Sequence, residues 1–444
     1  MKLPHPVLLL LIGTALAAAL TWLVPAGEFD RHDDPATGRR VVVAGTYHPV
    51  PAAPVTPFAA AVAVPRGFVA AADVVGVILF VGGAWVVVER AGALGAVIGW
   101  LVSASSRGGL LAIPMVSLFF GAMGALENMQ EEIIPLMPVL LLMGRGLRID
   151  AVAVVAMSAG AAMVGSAFGP TNPFQAGLGL RLAQEAPFAG GIIRLAMFAI
   201  GLALWVAYTM RYAASRRTDD PAAAATTAAA NAFKARQVLV LACMLVPMAV
   251  YVYGAIRLDW TFNELSGVFL VGACLAGLAG GLGLPLTVAT YLEGMQALVP
   301  AAVLVGAARS ISLVLEDGRV VDTLLNAMAT WLAHLPAAAS AFLMVPVQAA
   351  LHTVVPSVSG QMVLTMPLLV PLADLLHLSR QVPVLAFQTG AGLMELLTPT
   401  NGALMAILLA ADVPYHRWLR FAVVATAMQV LVGLAGIGVA LAAG

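Results

Sequence analysis

The tripeptide Pro-Thr-Asn occurs twice, as Pro170-Thr171-Asn172 and Pro399-Thr400-Asn401, each time inside an otherwise apolar run. A proline within a helix removes one backbone donor and frees a carbonyl. In hydrocarbon such orphaned groups cost several kcal/mol each unless protein, water or an ion satisfies them. Breaks of this kind offer the amides of a half-helix N-terminus to an anion and the carbonyls of a C-terminal end to a cation. Thr171, Asn172, Thr400 and Asn401 add short polar side chains suited to ligand or sodium coordination. Plain capping of interrupted helices explains the same residue types and stays open.

Two more apolar stretches are interrupted, at 127–132 and at 356–361. The first break carries Glu127, Asn128, Glu131 and Glu132; the second carries Ser357, Ser359, Gly360 and Gln361. Arg309 lies well inside the apolar run 295–315, and Glu395 stands four residues before Pro399. Charges at such depth line a pathway or pair with one another. Carboxylates crowded as at 127–132 resist ionising together, which suits a proton carrier or a cation-binding group. An Arg309–glutamate structural pair is the alternative. His352 reads as a hydrogen-bonded packing residue and only a minor candidate, and Asp73 as an interfacial group.

The elements that must hold these residues are membrane helices. Of 444 residues, 61% are apolar and 10% charged, with a mean hydropathy of +0.97. A soluble domain has about 45–50% and 25%, so the chain is expected to be an all-α polytopic membrane protein. Basic and acidic residues balance at 22 each, and no concentrated basic face points to nucleic acid. Cys243 and Cys274 both lie in apolar runs, so no disulfide framework or thiolate metal site is in prospect. No cofactor is expected beyond coupling to sodium or protons, with sodium at the same four breaks.

Long apolar runs recur at 7–24, 68–89, 150–168, 189–210, 237–255, 264–284, 295–315, 381–398 and 417–443. The run 7–24 could end in signal-peptide cleavage near Ala17-Ala18-Ala19, but it continues through Trp22 and Val24 and is read as a retained first helix. The interrupted stretches 109–144 and 338–376 give halves of about 12–18 residues, marginal for a ~30 Å core. They read as re-entrant hairpins, with two ordinary helices joined by a short loop as the alternative. About nine crossings with a cytoplasmic N-terminus place Arg90, Arg107, Arg145, Arg148, Arg211, Arg216, Arg217, Lys234, Arg236, Arg417 and Arg420 inside, as the positive-inside rule requires.

The two halves match. Pro-Thr-Asn recurs at an offset of 229, as do Pro138 and Pro367; Gly67 pairs with Gly294 and Glu89 with Glu316 at 227. The organisation predicted is a first helix and exterior loop (1–56), a first repeat (57–211), a cytoplasmic linker (212–236), two linking helices (237–284) and a second repeat (285–444). Three net crossings plus two make the second repeat enter from the opposite side, the inverted pattern of secondary transporters. An ion channel and a structural scaffold remain the rival readings. No metalloprotease motif, paired catalytic aspartates or serine–histidine pair suggests an enzyme.

The stretch Val355-Pro356-Ser357-Val358-Ser359-Gly360-Gln361, with Leu364-Thr365-Met366-Pro367, Pro371-Leu372-Ala373-Asp374-Leu375, Ser379-Arg380-Gln381 and Val384-Leu385-Ala386-Phe387-Gln388, resembles the YfcC family. That family sits in the C4-dicarboxylate anaerobic carrier-like group of the ion transporter superfamily. Pro25-Ala26-Gly27-Glu28-Phe29, Gly45-Thr46-Tyr47-His48, Leu315-Glu316-Asp317-Gly318 and Asn172-Pro173-Phe174 extend the resemblance over nearly the whole chain. The resemblance implies a multi-pass inner-membrane carrier with two opposed hairpins, a transport domain moving as an elevator, and a small organic substrate. Carried over to this chain, the site is 128–132 with Thr171 and Asn172, and Ser357, Ser359, Gly360 and Gln361 with Thr400 and Asn401. Arg309 matches a Gly-x-x-Arg segment. The family's acid between the glycines after Phe-Gln is replaced here by Ala391, and Glu395 is expected to stand in for it one helical turn later. The excess of glutamates over Arg309 favours a basic amino acid over a C4-dicarboxylate. A homodimer is left open.

Overall fold

The computed structural model describes residues 6–35, 39–93, 111–186, 188–216, 234–258 and 260–443. It is helical almost throughout. Two short antiparallel ribbons form the exception, β1 (Gly27–Glu28) with β4 (His48–Pro49) and β2 (Arg31–Asp34) with β3 (Arg39–Val42). Among the described residues, eight helices are long and apolar enough to cross a membrane. The chain is an all-α multi-pass membrane protein.

Helix α1 (Pro6–Leu23) is present as expected, and Thr14 on it shares a 2.9 Å hydrogen bond with Ser310. The next unit runs as α2 (Pro57–Ala70) and α3 (Ala72–Arg90), broken at Ala71. Thr56 caps α2 by accepting from the Ala59 amide, with Pro57 at the first helical position where no donor is lost. After α4 (Ala112–Glu127), a tight 3₁₀ turn (Glu131–Leu136) and α5 (Met137–Gly146) complete the first hairpin. Helix α6 (151–168) contains a π turn at Ala156–Gly160 and stops before Pro170; α7 (173–182) resumes it. Then come α8 (Gly191–Ser215), α9 (Ala235–Arg257), α10 (Phe262–Ala279) and α11 (Gly283–Asp317). Short α12 (Val321–Ala333) leads to the second hairpin, α13 (Ala337–Val354) and α14 (Val358–Leu375). Helix α15 (381–392) ends in its own π turn, Gln388–Gly392, and after a run of turns α16 (Gly402–Ala410) and α17 (Tyr415–Ala443) close the chain.

Four sequence expectations need correction. The run 295–315 is only the second part of α11, a 35-residue helix that begins at Gly283. Pro285 does not delay it, because first-turn amides have no intrahelical acceptor. At ~1.5 Å per residue α11 is about 52 Å long, well beyond the ~30 Å core. The expected linker starts late: α8 continues through Ser215, residue 234 caps α9, and 217–233, with Arg217, lie outside the described residues. The arms α13 and α14 have 18 residues each, longer than half-spans need be. Finally, the run 381–398 is helical only to its π turn, so Glu395 sits in the turns that follow. Arg107 and the segment 94–110 also lie outside the described residues.

Small residues set the packing of α2–α3 on α11. A Cβ on Gly67 would fall 2.9 Å from the Ser310 amide, and one on Gly294 would fall 2.8 Å from Gly83 Cα. The pairs run in opposite directions along the two elements, so the helices lie antiparallel with backbones almost touching. The two contacts are images of each other: adding 227 to Gly67 and Gly83 gives Gly294 and Ser310. At the ends, Arg66 pairs with Asp317 at 2.6 Å and Arg90 with Glu293 at 2.9 Å. These acids are separated by about 36 Å of helix, so the two pairs mark opposite ends of the α2–α3 contact with α11.

Apolar packing divides the helices. Val77, Val81 and Val87 of α3, Val240 and Met244 of α9, Leu265 and Phe269 of α10 and Tyr291 of α11 form a cluster of their own. The hairpins, α6–α8 and α15–α17 share the main core with α1, α2 and the second part of α11, Leu298 to Leu315. Phe29 and Val42 of the ribbons pack on Leu325, Leu351 and Leu368, laying the loop over α12 and the second hairpin. Buried Asp322 anchors it, accepting from the Phe29 amide at 3.0 Å and from Arg31 at 2.8 Å.

Candidate functional site

All four breaks open onto one cavity of about 880 Å³. The first hairpin contributes Asn128, Glu131 and Glu132, and the second Ser357 and Ser359. The broken helices contribute Pro173 and Phe174 on one side and Glu395, Thr400 and Asn401 on the other, and α11 adds Arg309. Nine of the thirteen residues singled out from sequence thus face the same space. Thr171, Asn172, Gly360 and Gln361 do not line it.

Behind the acids of the first hairpin tip lies a neutral polar cluster. The chain leaves α4 through Asn128 in a left-handed conformation (φ 61°), which lets its amide bond back to Gly124. Asn172 is fully buried behind that tip. Its oxygen accepts from the Phe174 and Gln175 amides at 3.0 and 2.7 Å, capping α7. Its nitrogen donates to the Gly124 carbonyl at 2.9 Å and to Asn128 Oδ1 and Ser166 Oγ, both at 3.2 Å. Ser166 in turn donates to Asn128 Oδ1. Thr171 donates to the Ala125 carbonyl at 2.9 Å. Both residues therefore fasten the first hairpin to the broken helix, and Asn172 acts as a cap.

The second half has the same skeleton with charge added. Thr400 donates to the Thr353 carbonyl at 3.1 Å, as Thr171 does to Ala125. Asn401 caps α16 through the Leu404 amide at 3.1 Å and donates to Glu395 Oε2 at 2.9 Å. Glu395, only 5% exposed, bonds through Oε1 to His352 Nε2. His352 Nδ1 meets Gln361 Oε1 at 2.8 Å, and Gln361 Nε2 donates to the Gln348 carbonyl and side chain at 2.9 and 2.7 Å. Ser357 caps α14 by accepting from Gly360 at 3.2 Å. A Cβ on Gly360 would lie 2.9 Å from that hydroxyl, so a side chain there would make Ser357 shift from its capping position.

The alternative reading, an Arg309–glutamate pair, is met by Glu316 and not by Glu395. Arg309 reaches toward Glu316 at 3.7 Å, both side chains being more than a third exposed, while Glu395 is taken by His352. Glu395 lies in the turns that follow the helix carrying Ala391, where it bonds His352. A second cavity, about 460 Å³, lies on the other side of the second hairpin tip. Gly360 and Val355 line it with Arg31, Arg40 and Arg319 from the ribbon side, and Ser312 lines both cavities.

Several residues gain importance only in three dimensions. His352 moves from minor candidate to the centre of the second half-site, and Asp73, read as interfacial, joins the cavity lining with Glu127 and Tyr251. Ser166 was legible in principle, since it stands 229 residues before Glu395. Arg194, wholly buried, ties α8 to α15 by donating to Gln388 and Gln381 at 2.8 and 2.9 Å, away from the cavity. Among the described residues no group of His, Cys, Asp and Glu is arranged to hold a metal ion.

The family model described as C4-dicarboxylate anaerobic carrier, DcuC, matches residues 3–442. The chain is 28% identical to an Escherichia coli protein named "Putative basic amino acid antiporter YfcC", over 94% of this chain and 92% of that one. Among solved structures it matches the YdaH transporter of Alcanivorax borkumensis (16% identity, 98% of both chains, TM-score 0.43). It also matches MtrF of Neisseria gonorrhoeae (16% identity, 98% and 94% of the chains, TM-score 0.44).

Proposed function

The chain belongs to the C4-dicarboxylate anaerobic carrier family, and from that premise we propose that this membrane transporter exchanges a basic amino acid across the inner membrane. It does so as a secondary active carrier of two inverted repeats moving as an elevator. The observation that carries the substrate class is the cavity lining. Asp73, Glu127, Glu131, Glu132 and Glu395 face a single cation, Arg309. A dianion would meet net repulsion there unless most of these acids were protonated. A basic amino acid can set its carboxylate near Arg309 and its ammonium groups near the glutamates. The volume falls within the roughly 300–1,000 Å³ of small-molecule sites. The printed name of the Escherichia coli relative agrees.

The inverted repeat rests on the reciprocal contacts Gly67–Ser310 and Gly294–Gly83, and on the matched hydroxyl bonds of Thr171 and Thr400. The elevator reading is supported by the separate apolar cluster in which α9 and α10 pack on α3 and the first part of α11, a scaffold beside the main core.

C4-dicarboxylate transport is the second reading, favoured by the family's description. Proteoliposomes loaded either with arginine or with succinate, and given labelled arginine, ornithine or succinate, separate the two. Exchange of arginine and ornithine without succinate is the expected result. Succinate exchange alone would replace the amino acid reading with the dicarboxylate one, and single-channel currents would replace the carrier.

A further inference from the structure

From Gln361 to Asn401 the side chains form a chain in which the donors and acceptors can be assigned, while Gln348 Nε2 at its start is buried without a partner. Gln361 Nε2 lies 2.9 Å from the Gln348 backbone carbonyl, which can only accept. That fixes the amide, so Gln361 Oε1 is the atom facing His352 Nδ1, and Nδ1 must carry hydrogen. A neutral His352 in this tautomer presents a bare lone pair at Nε2. Yet Nε2 is bonded to Glu395 Oε1, whose other oxygen already accepts from Asn401. Two lone pairs cannot make that bond. One proton must lie between Nε2 and Oε1, as imidazolium–carboxylate or as imidazole–carboxylic acid.

We propose that His352 and Glu395 form a one-proton binding site that a cationic substrate empties. Glu395 is the shared member. It lines the cavity, whereas His352 is fully buried behind it. From across the cavity Glu131 lies within electrostatic reach of Glu395, with Glu127, Glu132 and Asp73 in the same lining and Arg309 on α11. From the hairpin side the neighbours are the neutral Gln348 and Gln361. From the α17 side Tyr415 and Trp418 bond the carbonyls of Leu397 and Leu396, and Arg417 is engaged by Asp150. The excess of carboxylates holds the proton in the empty site. A substrate ammonium group brought to Glu395 supplies the same positive charge, and the proton leaves to water on the side to which the cavity is open. Proton and cation are then mutually exclusive ligands of one carboxylate, and by linkage each lowers the affinity for the other. A carrier with that property exchanges one for the other.

This inference rests on the transport reading for its consequence but not for its chemistry, and two measurements keep them apart. The first uses the full-length protein in lipid, labelled with [15N]histidine, with His352 assigned by difference from His352→Gln. A protonated Nδ1 with a further proton shared at Nε2 is expected at neutral pH without substrate. A bare Nδ1 with a neutral Nε2–H donating to ionised Glu395 would overturn the site. The second titrates arginine into the purified full-length chain in buffers of different ionisation heat. Release of roughly one proton per arginine is expected by linkage. His352→Gln, which can donate an amide hydrogen to ionised Glu395, should bind arginine with an affinity independent of pH and release none. Glu395→Gln, which mimics the protonated acid, should bind arginine weakly at every pH. Arginine binding without proton release, or release undiminished in His352→Gln, would refute competition. No arginine binding at all would instead remove the amino acid reading, leaving the spectrum to judge the proton site.

Discussion

At the scale of single residues, the two asparagines of the repeated tripeptide have diverged in what they touch. Asn172 is enclosed by Gly124, Asn128, Ser166 and the α7 amides, whereas Asn401 shares its nitrogen with a carboxylate in the cavity wall. Asn172→Ala removes a cap worth about 1 kcal/mol and strands the buried amides of Phe174 and Gln175. It should therefore lower the thermal unfolding midpoint in detergent while leaving the ratio of arginine to succinate transport as it was. Asn401→Ala should change that ratio, because Glu395 loses the donor that fixes it. Arg309 belongs to the second kind. Its partner Glu316 is distant and solvated, and an exposed pair contributes about 0–1 kcal/mol. Arg309→Gln should fold normally and raise the KM of any substrate through its carboxylate, and the swap of Arg309 with Glu395 should rescue nothing.

At the scale of elements, much of this arrangement was readable before any coordinates. Apolar runs, the positions of four breaks and the 227–229 offset are covalent facts, and proline inside hydrocarbon leaves few alternatives to a broken helix. What the sequence hid was local geometry. Periodicity does not show the π turns at Ala156–Gly160 and Gln388–Gly392, nor the turns after the second one from which Glu395 reaches His352. Nor does hydropathy distinguish a membrane run from a longer helix containing it, as in α11. The glycines that join α2–α3 to α11 test the element packing directly. Gly67→Ala or Gly294→Ala drives a methyl group into facing backbone, an overpacking expected to cost about 1–3 kcal/mol. Gly76→Ala meets nothing within 4 Å and should be tolerated, so equal midpoints for all three would contradict the contact.

At the scale of the whole molecule, the question is whether the hairpin-bearing part moves against α11. Helix α16 meets α11 at its first turn: an ideal Cβ at Gly402 lies 3.0 Å from Ala308 Cβ. Disulfides have Cβ separations of roughly 3.5–4.5 Å, so a few tenths of an ångström of movement admits one. The natural Cys243 and Cys274 are free and would first be replaced by serine. In that background Ala308→Cys with Gly402→Cys should cross-link under mild oxidation. An elevator slides this seam by more than a side chain's length, so the bond should arrest exchange in proteoliposomes while reduction restores it. Each single cysteine controls for the added bulk in the cavity wall. A carrier that gated only at its hairpin tips would keep α16 and α11 in register throughout. Full cross-linking with undiminished exchange would therefore remove the elevator and leave the tips at 128–132 and 356–361 as the moving parts.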